Sequence, residues 1–130
     1  MKPQGIRDII GPIMVGPSSS HTAGALRIAS MARSLLAGKP VHVKFTLYGS
    51  FSQTYKGHGT DKALVAGMLG MHTDDTRIAT SFSEARSQGL EFEFVCDPVT
   101  KTDHPNTVDI DTTDATGMHV SVRGVSIGGG

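Results

Sequence analysis

The fold is decided by the stretch Val41-His42-Val43-Lys44-Phe45-Thr46-Leu47-Tyr48, in which apolar and polar side chains alternate. A period of two residues is typical of a β-strand with one buried face and one exposed face. Gly38 and Pro40 stand before the stretch, where they end a helix, and Gly49-Ser50 ends the strand itself. The sequence therefore predicts a half-buried strand that follows a helix.

Helical periodicity flanks this strand on both sides. Apolar residues recur at helical spacing from Ala25 to Leu36, which predicts a helix of about four turns that starts near Ser20. Downstream, Thr60 is predicted to cap a second helix, whose buried stripe runs from Leu64 to Leu69. A third, short helix is predicted from residue 83 to Gly89.

Further strands are predicted from alternation alone. Leu90–Phe94 alternates with glutamates, and Thr76–Thr80 has the composition of a short strand. Val108–Ile110 and Met118–Val122 alternate on either side of the turn Asp114–Gly117, which predicts a hairpin.

Two segments are predicted to be irregular, and the order of elements then gives the fold class. Ile6–Val15 is predicted to be an extended or single-turn lead-in, and Phe51–Gly59 a polar loop. Helices and strands alternate first, and antiparallel strands come last. This order predicts a single α/β (α+β) domain over residues 1–130, with one mixed sheet that packs against helices.

Composition excludes several classes of function. The chain has 12 basic and 12 acidic residues, so binding driven by phosphate neutralisation is not expected. Aromatic residues make up 5% and Trp is absent, which argues against a stacking platform for bases. With no long apolar run and no signal core, we expect a cytoplasmic protein without a membrane partner. The single cysteine, Cys96, fits a reducing compartment and excludes a cluster held by cysteines of this chain alone.

The sequence ends in Ser126-Ile127-Gly128-Gly129-Gly130. Glycine runs are typical of flexible linkers. We therefore expect that the chain is cut from a longer one at a glycine-rich hinge.

The first group of residues that can carry chemistry is Ser18-Ser19-Ser20-His21-Thr22, at the predicted start of a helix. A helix N-terminus offers unpaired N–H groups and the positive end of the dipole, which suit a carboxylate or a phosphate. Ala23 and Gly24 follow and leave the backbone accessible. The plainer interpretation is that Ser20 caps the helix and the other side chains face water.

The second group is Lys56-Gly57-His58-Gly59-Thr60-Asp61, just before the second helix. The glycines that flank His58 permit unusual backbone angles and close approach, and imidazole titrates near neutral pH. The alternative is a loop with a solvated histidine. The spacing is not that of a Walker motif, and Lys56 alone gives little support to a phosphate-binding domain.

Together these runs resemble the beta subunit, or beta domain, of iron–sulfur-dependent bacterial L-serine dehydratase. The resemblance rests on Val15–Gly24, Gly49-Ser50, Lys56–Ala63, His104-Pro105-Asn106 and the terminal Ser126–Gly130. It covers nearly the whole chain, and the combination is more specific than any one of its parts.

The resemblance implies an L-serine ammonia-lyase that converts L-serine to pyruvate and ammonia. A partner alpha subunit would hold a [4Fe-4S] cluster on three cysteines, and its free iron would act as a Lewis acid on the serine hydroxyl. The beta portion would resemble the allosteric substrate-binding domain of some phosphoglycerate dehydrogenases. In some members of the family the beta chain continues past the glycines into an amino-acid-binding regulatory domain, so the resemblance implies that such a C-terminal domain is absent after the hinge. The expected partners are the alpha subunit, L-serine and a second copy of the chain in a homodimer.

The resemblance also implies site residues. The catalytic candidates are His58 and His21, with His58 favoured for proton transfer and His21 as its rival. The substrate-binding candidates are Ser18, Ser19, Ser20, Thr22, Gly59 and Thr60. No metal ligand is expected from this chain. The alternative function is a non-catalytic domain that senses serine and regulates another module; such a domain needs no proton shuttle.

Overall fold

The computed structural model describes residues 8–18, 21–54 and 59–128. Within these ranges, five strands form one sheet in the order β1-β5-β4-β2-β3, and four α-helices accompany it. The elements are β1 (Asp8–Ser18), α1 (His21–Ser34), β2 (Pro40–Tyr48), α2 (Gly49–Thr54), α3 (Thr60–Met68), a 3₁₀ turn (Thr76–Thr80), α4 (Ser81–Gln88), β3 (Glu91–Asp97), β4 (Thr107–Asp114) and β5 (His119–Gly128).

The sheet is mixed because one strand runs against the others. β1 pairs in parallel with β5, and β2 pairs in parallel with β3. β4 lies between these two pairs and is antiparallel to both β5 and β2. The carboxyl ends of β1, β5, β2 and β3 therefore share one edge of the sheet, which we call the carboxyl edge. Connections to α1 and α2 leave from this edge.

The core lies between one face of the sheet and the helices. Phe45 and Ile110 on the inner face are fully buried, as are Ile28 of α1 and Leu64 of α3. Alternate positions such as Lys44 point to the outer face and remain partly exposed. The alternation of apolar and polar residues in β2 thus arises because helices cover only one face of the sheet.

The fold class predicted from the sequence is confirmed, and so is the hairpin, which is β4 and β5. Thr76–Thr80 is not a strand: it is a 3₁₀ turn, and the Asp75 carboxylate caps it by accepting from Arg77 N–H. The predicted polar loop from Phe51 begins inside a helix, α2, because the Phe51 side chain is fully buried and fixes that turn against the core. From Asp8 onward, the predicted lead-in is part of edge strand β1, and its first two residues lie outside the described residues. The partner of β1 is β5, which is too distant in sequence for a local pattern to reveal.

The C-terminal end of α1 is held by the buried carboxylate of Asp114. Its Oδ2 accepts hydrogen bonds from the N–H groups of Ala37 (2.9 Å) and Gly38 (2.7 Å). Its Oδ1 accepts from the N–H and hydroxyl of Thr116 and from the N–H of Met118. Burial alone would raise the pKa of Asp114, but these hydrogen bonds outweigh it and hold the pKa at about 2. Asp114 therefore ties the end of α1 to the β4–β5 turn.

None of the helices in the described ranges is both long and apolar enough to span a membrane.

Candidate functional site

The N-termini of α1 and α3 lie side by side. A Cβ built on Gly59, which precedes α3, would lie 3.6 Å from Cγ2 of Thr22 in the first turn of α1. Farther along, a Cβ on Gly67 would lie 2.4 Å from the carbonyl oxygen of Leu26 and 2.7 Å from Cβ of Ala29. Contacts at both levels mean that the two helices run in the same direction at close range. Their positive dipole ends therefore point to the same region, at the carboxyl edge of the sheet.

A small cavity lies beside these two first turns. It measures about 140 Å³ and is lined by Thr22, Ala23 and Leu26 of α1, by Ala63 of α3, and by Thr73 and Ile78. Small side chains on both helices keep this space open. The paired helix ends are thus next to room for a small molecule.

The residue before α3 provides no side-chain cap, and within the first turn the Asp61 carboxylate accepts a hydrogen bond from the N–H of Lys62 at 2.8 Å. Gly59 occupies the N-cap position with φ 76° and makes no side-chain hydrogen bond to the helix. Thr60 is the first helical residue and not the cap, so the sequence prediction for Thr60 is wrong. The reason is that Gly59, in the left-handed conformation, turns the chain into the helix one residue earlier. The Thr60 side chain is fully buried, and its hydroxyl has no hydrogen-bond partner. A helix end that begins at a glycine, beside an unpaired hydroxyl, can receive an anion, which would share the first turn with the Asp61 carboxylate.

The first turn of α1 packs directly on the ends of β1 and β5. A Cβ on Gly24 would lie 2.1 Å from Oγ of Ser126, and one on Gly16 would lie 2.7 Å from the carbonyl oxygen of Gly24. A side chain at Gly16 would require movement of the backbone, and one at Gly24 would require the Ser126 side chain to shift. Ser126 is 4% exposed, and its hydroxyl is the second buried hydroxyl without a partner in the part of the chain that the structure describes.

The segments Gly49-Ser50 and Pro105-Asn106 also meet at the carboxyl edge. Ser50 donates its N–H to the carbonyl oxygen of Pro105 at 2.8 Å, and its hydroxyl bonds to the Asn106 side-chain oxygen. The Asn106 carbonyl accepts from the N–H of Ser126 at 3.0 Å. Gly49 has φ 53°, and a Cβ there would lie 2.4 Å from the Pro105 oxygen. The fold thus joins segments that are far apart in the sequence.

The structure reaches only part of the predicted site. It places Thr22, Gly59 and Thr60 together, as described above. Ser18 ends β1 and His21 begins α1, so their backbones lie at the carboxyl edge, while their side chains are outside the description. Three further predicted residues lie outside the described residues altogether: Ser19, Ser20 and His58.

Local sequence patterns predicted no role for the side chain of Ser126. The sequence feature that could have indicated it is the alternation along β5. Val120 and Val122 point inward, and Ser126 falls on the same inward-facing side of the strand but carries a hydroxyl. A polar side chain in an inward phase indicates either a buried hydrogen bond or a ligand contact.

The described residues do not fit an iron–sulfur cluster or another metal. No group of three or more His, Cys, Asp or Glu side chains among them is arranged to hold a metal ion. The sole cysteine of the sequence, Cys96, is exposed on β3, the edge strand at the opposite side of the sheet from β1. A cluster held by several thiolates cannot be assembled from one such residue.

The sequence of this chain is similar to those of known proteins. Residues 7–93 match the family model described as serine dehydratase beta chain. The chain is 48% identical over 130 residues to a probable L-serine dehydratase, beta chain, of Bacillus subtilis (strain 168), and these residues are 100% of this chain and 58% of the relative. It is 50% identical over 123 residues to the L-serine dehydratase, beta chain, of Peptoniphilus asaccharolyticus, with 95% and 55% covered.

A more distant relative matches over a shorter part. An L-serine dehydratase of Streptomyces coelicolor is 41% identical over 86 residues, which are 57% of this chain and 19% of the relative. The chain spans just over half the length of the two beta chains it matches. On the family model and these identities, the chain belongs to the serine dehydratase beta chain family.

Proposed function

We propose that this chain is the beta component of an L-serine dehydratase and forms its active site together with an alpha chain. L-serine would lose water to give an enamine, which hydrolyses to pyruvate and ammonia. The membership in the beta chain family and the names of the two closely similar relatives support this assignment.

The observation that carries the proposal is the pair of helix N-termini at the carboxyl edge. L-serine presents a carboxylate, and two parallel dipole ends with an unpaired Thr60 hydroxyl offer a site for one. Ser18, Ser19, Ser20 and Thr22 would add hydroxyl groups at the start of α1. Gly59 would let the carboxylate approach the backbone of α3, because no side chain stands in the way.

Proton transfer is assigned to a histidine. The reaction removes a proton from the serine α-carbon and delivers one to the departing hydroxyl. His58 directly precedes Gly59 and the start of α3, so the chain connects it to the carboxylate site. His21 begins α1 and is the rival for the same role, while its position favours carboxylate binding.

The proposed [4Fe-4S] cluster belongs to the alpha chain. The single, exposed Cys96 supports this division, because this chain lacks the thiolates for a cluster of its own. The role left to the beta chain is to bind the substrate carboxylate and move protons.

The test uses the chain co-purified with its alpha chain and a pyruvate assay. We expect His58→Gln to lower kcat by about 10²–10⁴-fold with little change in KM, because it removes a positioned acid–base group. Ser20→Ala should raise KM about ten-fold, since it removes a hydrogen bond to a charged group. His42→Gln is the matched control, because His42 lies in the first half of β2, away from the carboxyl edge.

Each outcome bears on the proposal. If His21→Gln lowers kcat and His58→Gln does not, the two histidines exchange roles. If neither variant changes kcat while L-serine still binds, the chain is a serine sensor and the catalytic assignment is wrong.

A further inference from the structure

The hydroxyl of Ser126 is buried without a hydrogen bond. The residue is 4% exposed, and Oγ finds no donor or acceptor within reach. An unpaired buried hydroxyl destabilises the folded state, because it loses its bonds to water and gains none in return. An alanine in this position would avoid that loss, so the serine needs another reason.

Its position supplies that reason. Oγ contacts the first turn of α1 so closely that a Cβ on Gly24 would lie 2.1 Å from it. The Ser126 N–H is bonded to the Asn106 carbonyl at 3.0 Å, and Ser126 pairs with Gly16 of β1, so the strand end is fixed. The hydroxyl therefore stays beneath the helix end where the substrate carboxylate is proposed to bind.

A serine hydroxyl keeps one freedom in such a place. Its hydrogen can rotate about the Cβ–Oγ bond, and with no competing partner it follows the local field. An anion at the start of α1 attracts the positive end of this dipole, and the interaction is strong in a buried setting of low polarity. Rotation alone is sufficient, so neither the helix nor the strand has to move.

We propose that Ser126 is a positioning residue for the substrate carboxylate and acts on it across the first turn of α1. This inference rests on the proposed function and adds to it a residue on a different strand. Ser126 lowers the stability of the free chain and strengthens the binding of carboxylate ligands.

Ser81 provides a matched comparison within the same molecule. It is also a fully buried serine, but its hydroxyl donates to the carbonyl oxygen of Lys62 at 2.8 Å. Replacing it with alanine removes a hydrogen bond, whereas the same change at position 126 removes an unpaired group. The two substitutions should therefore shift stability in opposite directions.

The experiment compares Ser126→Ala and Ser81→Ala in the complex with the alpha chain. For Ser126→Ala we expect KM for L-serine to rise about 3- to 10-fold with kcat nearly unchanged, and the inhibition constant of L-alanine to rise by the same factor. The Tm of the isolated chain should rise by about 3 °C for Ser126→Ala and fall by about as much for Ser81→Ala. Ser126→Gly, which also removes the hydroxyl, should reproduce the loss of affinity.

The outcomes separate the inference from the proposed function. If the wild-type complex makes pyruvate and both position-126 variants keep its KM and inhibition constant, Ser126 does not position the substrate. A fall in Tm together with a fall in kcat would mean that Ser126 is merely structural, and would also overturn the inference. A wild-type complex that makes no pyruvate overturns the proposed function itself, and the inference with it.

Discussion

At the scale of single residues, Asp114 shows how a buried charge is kept in this fold. Its two oxygens receive five hydrogen bonds, from backbone N–H groups and from one hydroxyl, and no cation faces it among the ion pairs of the described residues. Bonds from neutral donors favour the ionised carboxyl and keep its pKa low. The residue thus links the end of α1 to the β4–β5 turn most strongly while it is charged.

Removing this carboxylate should weaken the whole chain. We expect Asp114→Ala to lower the free energy of unfolding by about 3 kcal/mol at neutral pH, because several buried donors lose their acceptor. Urea denaturation followed by circular dichroism measures the change. A loss below about 0.5 kcal/mol would contradict the structural role given to this residue.

The pH dependence has a defined sign. The pKa of Asp114 is about 2 in the folded chain against an ordinary 3.8, so its contribution is complete above about pH 4 and is lost as the pH falls toward 2. Asp114→Asn should therefore flatten the pH dependence of unfolding in that interval. Asp103→Asn is the matched control, because Asp103 is an exposed carboxylate in the loop before β4.

At the scale of elements, the site depends on how closely α1 approaches the sheet. Gly16 and Gly24 face each other where β1 meets the first turn of α1, and a Cβ on either would overlap its neighbours. In an exposed helix, replacing glycine by alanine is stabilising by about 1 kcal/mol. Here the tertiary contact reverses that preference.

Gly24→Ala should therefore destabilise the chain by about 1–3 kcal/mol, as overpacking does, and raise KM for L-serine in the complex. Because the new Cβ overlaps Ser126, we expect Ser126→Gly to recover part of the lost stability, which a double-mutant cycle on the free energy of unfolding would measure. Ser34→Ala, in the exposed last turn of α1, is the control and should change neither quantity. Additive effects of Gly24→Ala and Ser126→Gly would show that the two positions do not touch.

The sequence predicts the elements better than it predicts their meeting points. Local periodicity is sufficient for α1 and β2, whose buried positions recur at 3.6 and at two residues. It fails for Thr76–Thr80, where the Asp75 cap decides the backbone. It also leaves Ser126 unexplained, because what matters there is the contact between β5 and α1, a property of tertiary packing.

At the scale of the whole molecule, the two outermost strands of the sheet differ in the side chains that they expose. Edge strand β1 exposes Ile10 and Ile13, whereas edge strand β3 exposes Glu91 and Glu93. Charged side chains on an edge strand hinder its pairing with other chains, whereas exposed apolar side chains on an edge strand permit contact with another chain. Cys96 lies on the charged edge strand, which is at the opposite side of the sheet from β1, the strand that leads into α1.

The isolated chain should fold and remain colourless. After anaerobic incubation with iron and sulfide we expect no stoichiometric cluster absorption in the visible spectrum, because one thiolate is available where a cluster needs several. Iron analysis after gel filtration measures any iron that remains bound to the chain. The Cys96→Ser variant should give the same visible spectrum as the unmodified chain. Stoichiometric iron and sulfide bound to the wild-type chain would place the cluster here and disprove the assignment to a partner.

The parallel pairing of β1 with β5 also affects how the protein matures. Asp8 pairs with His119 and Ser18 with Gly128, so residues 19–118 lie between strands that must become neighbours. Such non-local pairing is slow to form. On the ribosome, β1 and the start of α1 leave the exit tunnel long before β5 exists. The paired ends of β1 and β5, on which the first turn of α1 packs, cannot form until synthesis has passed Ser126. The N-terminal end of α1 is therefore synthesised early but becomes able to bind substrate only at the end of synthesis. A nascent chain that stalls before β5 should expose the apolar strand β1, which chaperones would then cover.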